Sequence, residues 1–210
     1  MQITKQKKSL PVLDSSITKT LAALKLNGFE PILLETKAEA LSKIKSLIPK
    51  GASVIQGSSK TLEEIGFIEY LKSGEHGWNN LQQKILAEKD SVKQSLLRKQ
   101  STIADFYLGS VHALTETGEL LIVSNTGSQM PSIVFNATNL IFVIGLQKIV
   151  SNLSNAFERL ENVVIPLEDA RIHAAYGIHT MHAKTLILHK ENPMFGRNVR
   201  VLIVKESLGF

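Results

Sequence analysis

A carboxylate becomes chemically useful when a turn holds it beside hydrogen-bond donors. The stretch LTETGELLIVSNTGSQ, residues 114–129, sets Glu116 in such a turn, Thr115-Glu116-Thr117-Gly118. There Glu116 has the makings of a nucleophile or a general base, with Thr117 and Gly118 beside it to stabilise charge that develops on a ligand. The plainer reading is a hairpin turn built from ordinary turn formers. His112, on the strand before the turn, is the candidate to orient that carboxylate, with core packing as the alternative.

Two further loops carry polar groups at close spacing. In QGSSKTLEE, Gly57, Ser58, Ser59, Lys60 and Thr61 bring backbone N–H groups, three hydroxyls and an ammonium to the start of a helix, a set suited to phosphate or carboxylate. It is not a P-loop, because the lysine and the glycines have the wrong spacing, and the same residues also serve as helix caps. In SNTGSQMPS, Ser124, Asn125, Thr126, Gly127, Ser128 and Gln129 form a second ligand loop, or else a plain loop before a helix. His173, His179, His182 and His189 fall close together, but their spacing fits no zinc motif, and neither His173 nor His189 has an arranged carboxylate beside it. No metal is expected. A Gly-x-Gly-x-x-Gly fingerprint is absent too, and no cofactor is called for.

These loops need elements to hold them. Asp14 caps a helix carrying Ile17, Leu21 and Leu24 that Gly28 ends, and Pro31 to Leu34 is a strand. Thr36 with Glu39, and Thr61 with Glu64, read as capping boxes, the second following the strand Ser53 to Gln56. One or two helices occupy Trp78 to Gln100, breaking at Asp90-Ser91. Ser110 to Ala113 and Glu119 to Ser124 flank the Glu116 turn as a hairpin, and Leu140 to Ile144 is a fully apolar strand. Ser151 caps a helix, Val163 to Ile165 reads as a strand, and a last helix covers Glu168 to Ala175. Strands at Thr185 to Leu188 and Val199 to Val204 follow. The alternation predicts an α/β fold: a mainly parallel, Rossmann-like sheet flanked by helices, with one hairpin. The two polar loops and the Glu116 turn are then expected together beyond the carboxyl ends of the strands, forming one cleft.

Bulk properties narrow the function. The chain has 210 residues, 43% of them hydrophobic and 20% charged, which suits one domain at 14–210 behind an N-terminal arm at 1–13. With no cysteine there is no disulfide, no thiolate nucleophile and no iron–sulfur cluster held by this subunit's own cysteines. No signal-peptide core and no apolar run of membrane-spanning length is present, so a soluble cytoplasmic protein without membrane partners is expected. A net charge of +5 favours anionic partners. The basic residues are scattered and no aromatic interleaves with them, which argues against nucleic acid.

Four ordered motifs then carry a resemblance: GSSKTLEEIG (57–66), FYLGSVHALTETGELLIVSNTGSQMPS (106–132), VIGLQKIVSNLSNAFERL (143–160) and VKESLGF (204–210). They resemble the lactate-utilisation, or LUD, domain family over most of the chain from Asp14 onward. The resemblance implies a fold similar to the ribose-phosphate isomerase and CoA-transferase-like superfamily. It also implies a role in oxidising lactate to pyruvate beside iron–sulfur partner subunits, of which this chain would be a cluster-free accessory that binds a small anionic metabolite. By similarity to the transferases, Glu116 would occupy the place of their nucleophilic glutamate. The alternative is a stand-alone acyl or CoA transferase, isomerase or cyclo-ligase using Glu116. Ser58 departs from the family pattern, standing where a second glycine is usual. The reaction, the ligand and any homo-oligomeric state are left open.

Overall fold

A computed structural model describes residues 10–210, with side chains from Asp14 onward, so most of the arm expected at 1–13 lies outside the described residues. The first helix, α1 (Leu10–Leu26), is already helical at Leu10. Asp14 is therefore not its cap but an interior residue, whose carbonyl accepts from Thr18 Oγ1 at 2.9 Å. Strand β1 (Glu30–Leu34) and α2 (Lys37–Leu47) follow, with Thr36 accepting from the Glu39 N–H at 3.2 Å as the capping pattern requires. After β2 (Ser53–Gln56) come α3 (Lys60–Glu64) and α4 (Phe67–Ser73), then a short β3 (Asn79–Asn80). The cap of α3 is Ser59, whose hydroxyl accepts from the Leu62 N–H, whereas Thr61 is buried inside the helix with a different task.

The expected break at Asp90 is present: α5 (Leu81–Ala87) and α6 (Ser91–Gln100) are separated there, and the Asp90 carboxylate caps α6 through the N–H groups of Val92 and Lys93. Next come β4 (Phe106–Gly109), β5 (Ala113–Thr115), β6 (Leu120–Ser124), β7 (Asn139–Gly145) and β8 (Ile149–Val150). Helices α7 (Leu153–Arg159) and α8 (Ile165–Tyr176) and strands β9 (Lys184–Leu188) and β10 (Asn198–Val204) complete the order. Asn152 rather than Ser151 caps α7, accepting from the Asn155 N–H at 3.0 Å. The apolar run Val163 to Ile165 is not a strand. It belongs to a wide helical turn at Leu160–Val164 that runs into α8, because Leu160 and Val164, four apart, both face Ala113 and Leu121.

Six strands form a parallel sheet in the order β1-β10-β7-β4-β2-β3. The α/β class read from the sequence is borne out. Alternation along β7 sends Leu140, Phe142 and Ile144 to one face, with α1 and α5, and Ile141 and Val143 to the other, with α2, α3 and α4. Both faces are thus dry, and each of these buried side chains contributes roughly 1.5–3 kcal/mol of transfer free energy. The expected hairpin is β5–β6, and it is larger than expected: β8 and β9 flank it to make a second sheet, β8-β5-β6-β9. One face of that sheet joins the core around Leu114, Leu120 and Ile122, and the other packs on Ala156, Leu160 and Val164.

Candidate functional site

The carboxyl ends of β2 and β4 point at a cleft of about 670 Å³, closed on the far side by β6, its following loop and α8. This is where an open parallel sheet gathers its strand-to-helix loops. Gly57, Ser58, Ser59, Lys60 and Thr61 line one wall, and Ser124, Asn125, Thr126, Ser128 and Gln129 line another. Two of the three loops expected together therefore do meet. Gly57 is needed for the approach: a Cβ there would lie 2.5 Å from Tyr107 Oη and 2.7 Å from Gln129 Oε1. Gly127 is not in the lining. It gives the second loop its left-handed corner at φ +78°, with its N–H bonded to Ser124 Oγ at 2.9 Å.

Glu116, Thr117 and Gly118 stand elsewhere and are not among the described residues that line the cleft. The Glu116 carboxylate accepts from Ser16 Oγ at 2.6 Å and pairs with Lys19 at 3.2 Å, both on α1. Asn27 Nδ2 donates to the Thr117 carbonyl at 3.0 Å, and Gly118, at φ +92°, sits against Ala23 and Asn27. The turn docks on the first helix. His112, expected to orient Glu116, lines the cleft instead. Its Nδ1 accepts from the Val123 N–H at 3.0 Å, which fixes the ring proton on Nε2 when the ring is neutral. Burial, with the charges of Lys148 and Arg159 beside it, pushes the ring down to about 3. It is neutral at physiological pH.

The cleft wall also holds a buried group that the motif reading did not single out. Lys148, in the turn after β7, is only 3% exposed. Its ammonium donates to Thr61 Oγ1 at 3.0 Å, Ser110 Oγ at 3.0 Å and the Val111 carbonyl at 3.1 Å. Desolvation, then the Arg159 charge, pulls its pKa down to about 7, against a weaker opposing pull from Glu64. Arg159 donates from Nε to the His112 carbonyl at 3.0 Å, while its Nη2 is buried with no partner among the described residues. Gln56 Oε1 is likewise buried and unpartnered, and Gln56 lines the cleft. Such orphaned atoms are places where a ligand or water completes the set.

The rim adds more positive charge. Lys60, Arg98 and Arg171 all line the cleft, and Arg171 is held by a two-pronged ion pair to Glu168 on α8, with both bonds at 2.7 Å. Glu168 is the one acidic side chain among the described lining residues, so the side-chain charges in the cleft favour an anion. The histidines of the C-terminal third divide. His179 pairs with Asp169 at 2.9 Å and stacks on His173, whereas His182 lines the cleft and bonds Thr185 Oγ1 at 2.7 Å. Among the described residues no three metal-ligating groups converge.

One signal for Lys148 was in the sequence. A lone lysine inside FVIGLQKIV, flanked on both sides by buried apolar residues, must either snorkel out or be held by buried acceptors.

Fold and cleft define the class: an α/β protein with a cationic pocket at the carboxyl edge of a parallel sheet. The sequence profile of the LUD domain matches residues 17–176, and the chain belongs to the LUD domain family. A solved structure similar to it is that of a DUF162 family protein from Deinococcus radiodurans. That likeness has a TM-score of 0.56 and covers 91% of this chain and 98% of that one, at 12% identity, where it speaks for the fold alone. No curated protein matches the sequence.

Proposed function

We propose that the cleft binds a small carboxylate or phosphate, and that the protein serves the oxidation of lactate to pyruvate as a cluster-free accessory or ligand-binding subunit. Membership of the LUD family supports the lactate-utilisation half of this reading. The observation that carries the binding half is the cleft itself, in which Lys60, Arg98 and Arg171 line the wall with a single acidic side chain, Glu168. A protein without cysteine would rely on partner subunits for iron–sulfur electron transfer. The cytoplasm suits such a protein, although the structure adds only that no described helix is long and apolar enough to cross a membrane. The ribose-phosphate isomerase and CoA-transferase-like fold, and residues 14–210 as a single domain, belong to the same reading. A catalytic Glu116 in the transferase manner would need its substrate at the hairpin turn beside α1, away from the cleft.

Thermal shift and calorimetric titration with lactate, pyruvate and inorganic phosphate test the binding. A ligand at about a hundred times its Kd stabilises by about 2.7 kcal/mol, a rise of roughly 5–10 °C for a chain of this size. Arg171→Gln should weaken the same ligand about tenfold or more. An unchanged affinity in that variant, or no response to any of the three anions, overturns the assignment of the cleft.

A further inference from the structure

We propose that Ser110 and Lys148 form a nucleophile and base pair, and that the cleft catalyses acyl transfer from a small anionic ester or thioester to water. The choice of an anionic substrate rests on the reading of the cleft above; the pair itself rests on its own geometry. Ser110 follows β4 and lines the cleft, so its hydroxyl is within reach of a bound ligand. Lys148 Nζ lies 3.0 Å from Ser110 Oγ, within proton-transfer distance.

Three features go beyond a structural lysine. The two other partners of Nζ, Thr61 Oγ1 and the Val111 carbonyl, fix its position, and Thr61 is itself anchored by donating to the Leu208 carbonyl at 3.4 Å. Thr61 is thus a positioning residue. Second, the groups around Nζ favour the neutral amine that a base requires: Arg159 repels the proton, His112 stays neutral, and Glu64, whose Oε2 is tied to the Gly209 N–H at 2.7 Å, opposes them more weakly. Third, Ser110 Oγ also bonds the Val143 carbonyl at 2.7 Å, so the hydroxyl rests one rotation away from giving its proton to the amine.

The chemistry balances as follows. Lys148 Nζ takes the Ser110 proton while Oγ bonds to the acyl carbon. The tetrahedral oxyanion collapses, the bond to the leaving oxygen or sulfur breaks, and that atom takes the proton from the Lys148 ammonium. Water then gives a proton to Lys148 and attacks the Ser110 ester, releasing the carboxylic acid and returning the proton to Ser110. Ser58 and Ser59 line the same cleft and their backbone N–H groups donate to no acceptor among the described residues, so they are the donors assigned to the oxyanion.

A fluorophosphonate probe tests the pair on the whole protein, because it bonds to an activated serine and expels fluoride. The expected result is one adduct, mapped by peptide fragmentation to Ser110, with a labelling rate that rises through about pH 7 and then levels. Ser110→Ala should abolish the adduct. Lys148→Arg keeps the charge but cannot accept a proton, so it should slow labelling by about 100-fold or more. Circular dichroism of each variant separates lost chemistry from lost folding, and the wild-type map needs no variant. An adduct on another residue overturns the proposal, as does no adduct between about pH 6 and 9 in folded wild-type protein, or an undiminished rate in Lys148→Arg. Loss of anion binding with labelling intact would instead count against the binding assignment alone.

Discussion

Replacing Lys148 by methionine keeps an unbranched apolar stem and deletes the ammonium, and its clearest effect should be on how stability depends on pH. The amine titrates at about 7 in the folded protein and at 10.5 when solvated. Between those values the unfolded chain holds a proton that the folded chain does not, so raising the pH favours folding. The contribution is complete above 10.5 and is lost as the pH falls through about 7. Its slope approaches 1.4 kcal/mol per pH unit, or about 3 kcal/mol between about pH 7.5 and 9.5. Urea unfolding reads this directly. With a denaturant slope of about 3 kcal/mol per molar for a chain of this length, the wild-type midpoint should climb by about 1 M relative to Lys148→Met over that interval. Titration of the other lysines and of the tyrosines is common to both proteins and cancels in the difference. At any pH the variant also leaves the Val111 carbonyl without its donor, at a cost of about 1–3 kcal/mol, which below about pH 7 is set against the ammonium desolvation it relieves. Parallel midpoint curves would refute the claim that burial drives Lys148 toward neutrality, and would remove the basis for a lysine base.

Two further outcomes follow from the same geometry. His112, held at about 3, makes the fold stable above its solvated value of 6.5 and weakens it as the pH falls from there; His112→Gln should flatten that acid limb, by up to about 5 kcal/mol at the bottom of the range, in urea titrations at stepped pH. Gly118→Ala should lower stability by more than about 1 kcal/mol, since a Cβ at φ +92° would lie 2.6 Å from Asn27 Nδ2, yet leave anion affinity unchanged in calorimetry; weakened binding would put the Glu116 turn back in the site.

The sequence showed most of the sheet because parallel strands buried on both faces are written as apolar runs, as Leu140 to Ile144 of β7 and Val201 to Val204 of β10 are. It misled at Val163 to Ile165, where three apolar residues are too few to tell a strand from a helix, and only packing against Ala113 and Leu121 decides. The two polar loops were legible from glycine and hydroxyl spacing alone. Grouping Glu116 with them was not justified by spacing, because its turn precedes β6 and the second loop follows it, which puts the two at opposite ends of that strand; the docking of Glu116 on Ser16 and Lys19 is a long-range contact. Lys148, Arg159 and Arg171 were missed for a related reason. Apart from the apolar flanks that mark Lys148, a basic residue declares itself in sequence only by type, and what matters here is that separate elements bury Lys148 and Arg159 and bring Arg171 to the cleft wall.

The place of β10 has a consequence for how the chain is made. It lies between β1 and β7, with Glu30 opposite Arg200 and Leu34 opposite Val204. As the polypeptide leaves the ribosome, β1 has no neighbour to join until β10 has emerged, and β7 meanwhile presents an open edge that is apolar from Leu140 to Ile144. Closing the sheet is then a late event with a large loop entropy to overcome, which points to slow refolding and to a nascent chain that needs shielding from its neighbours.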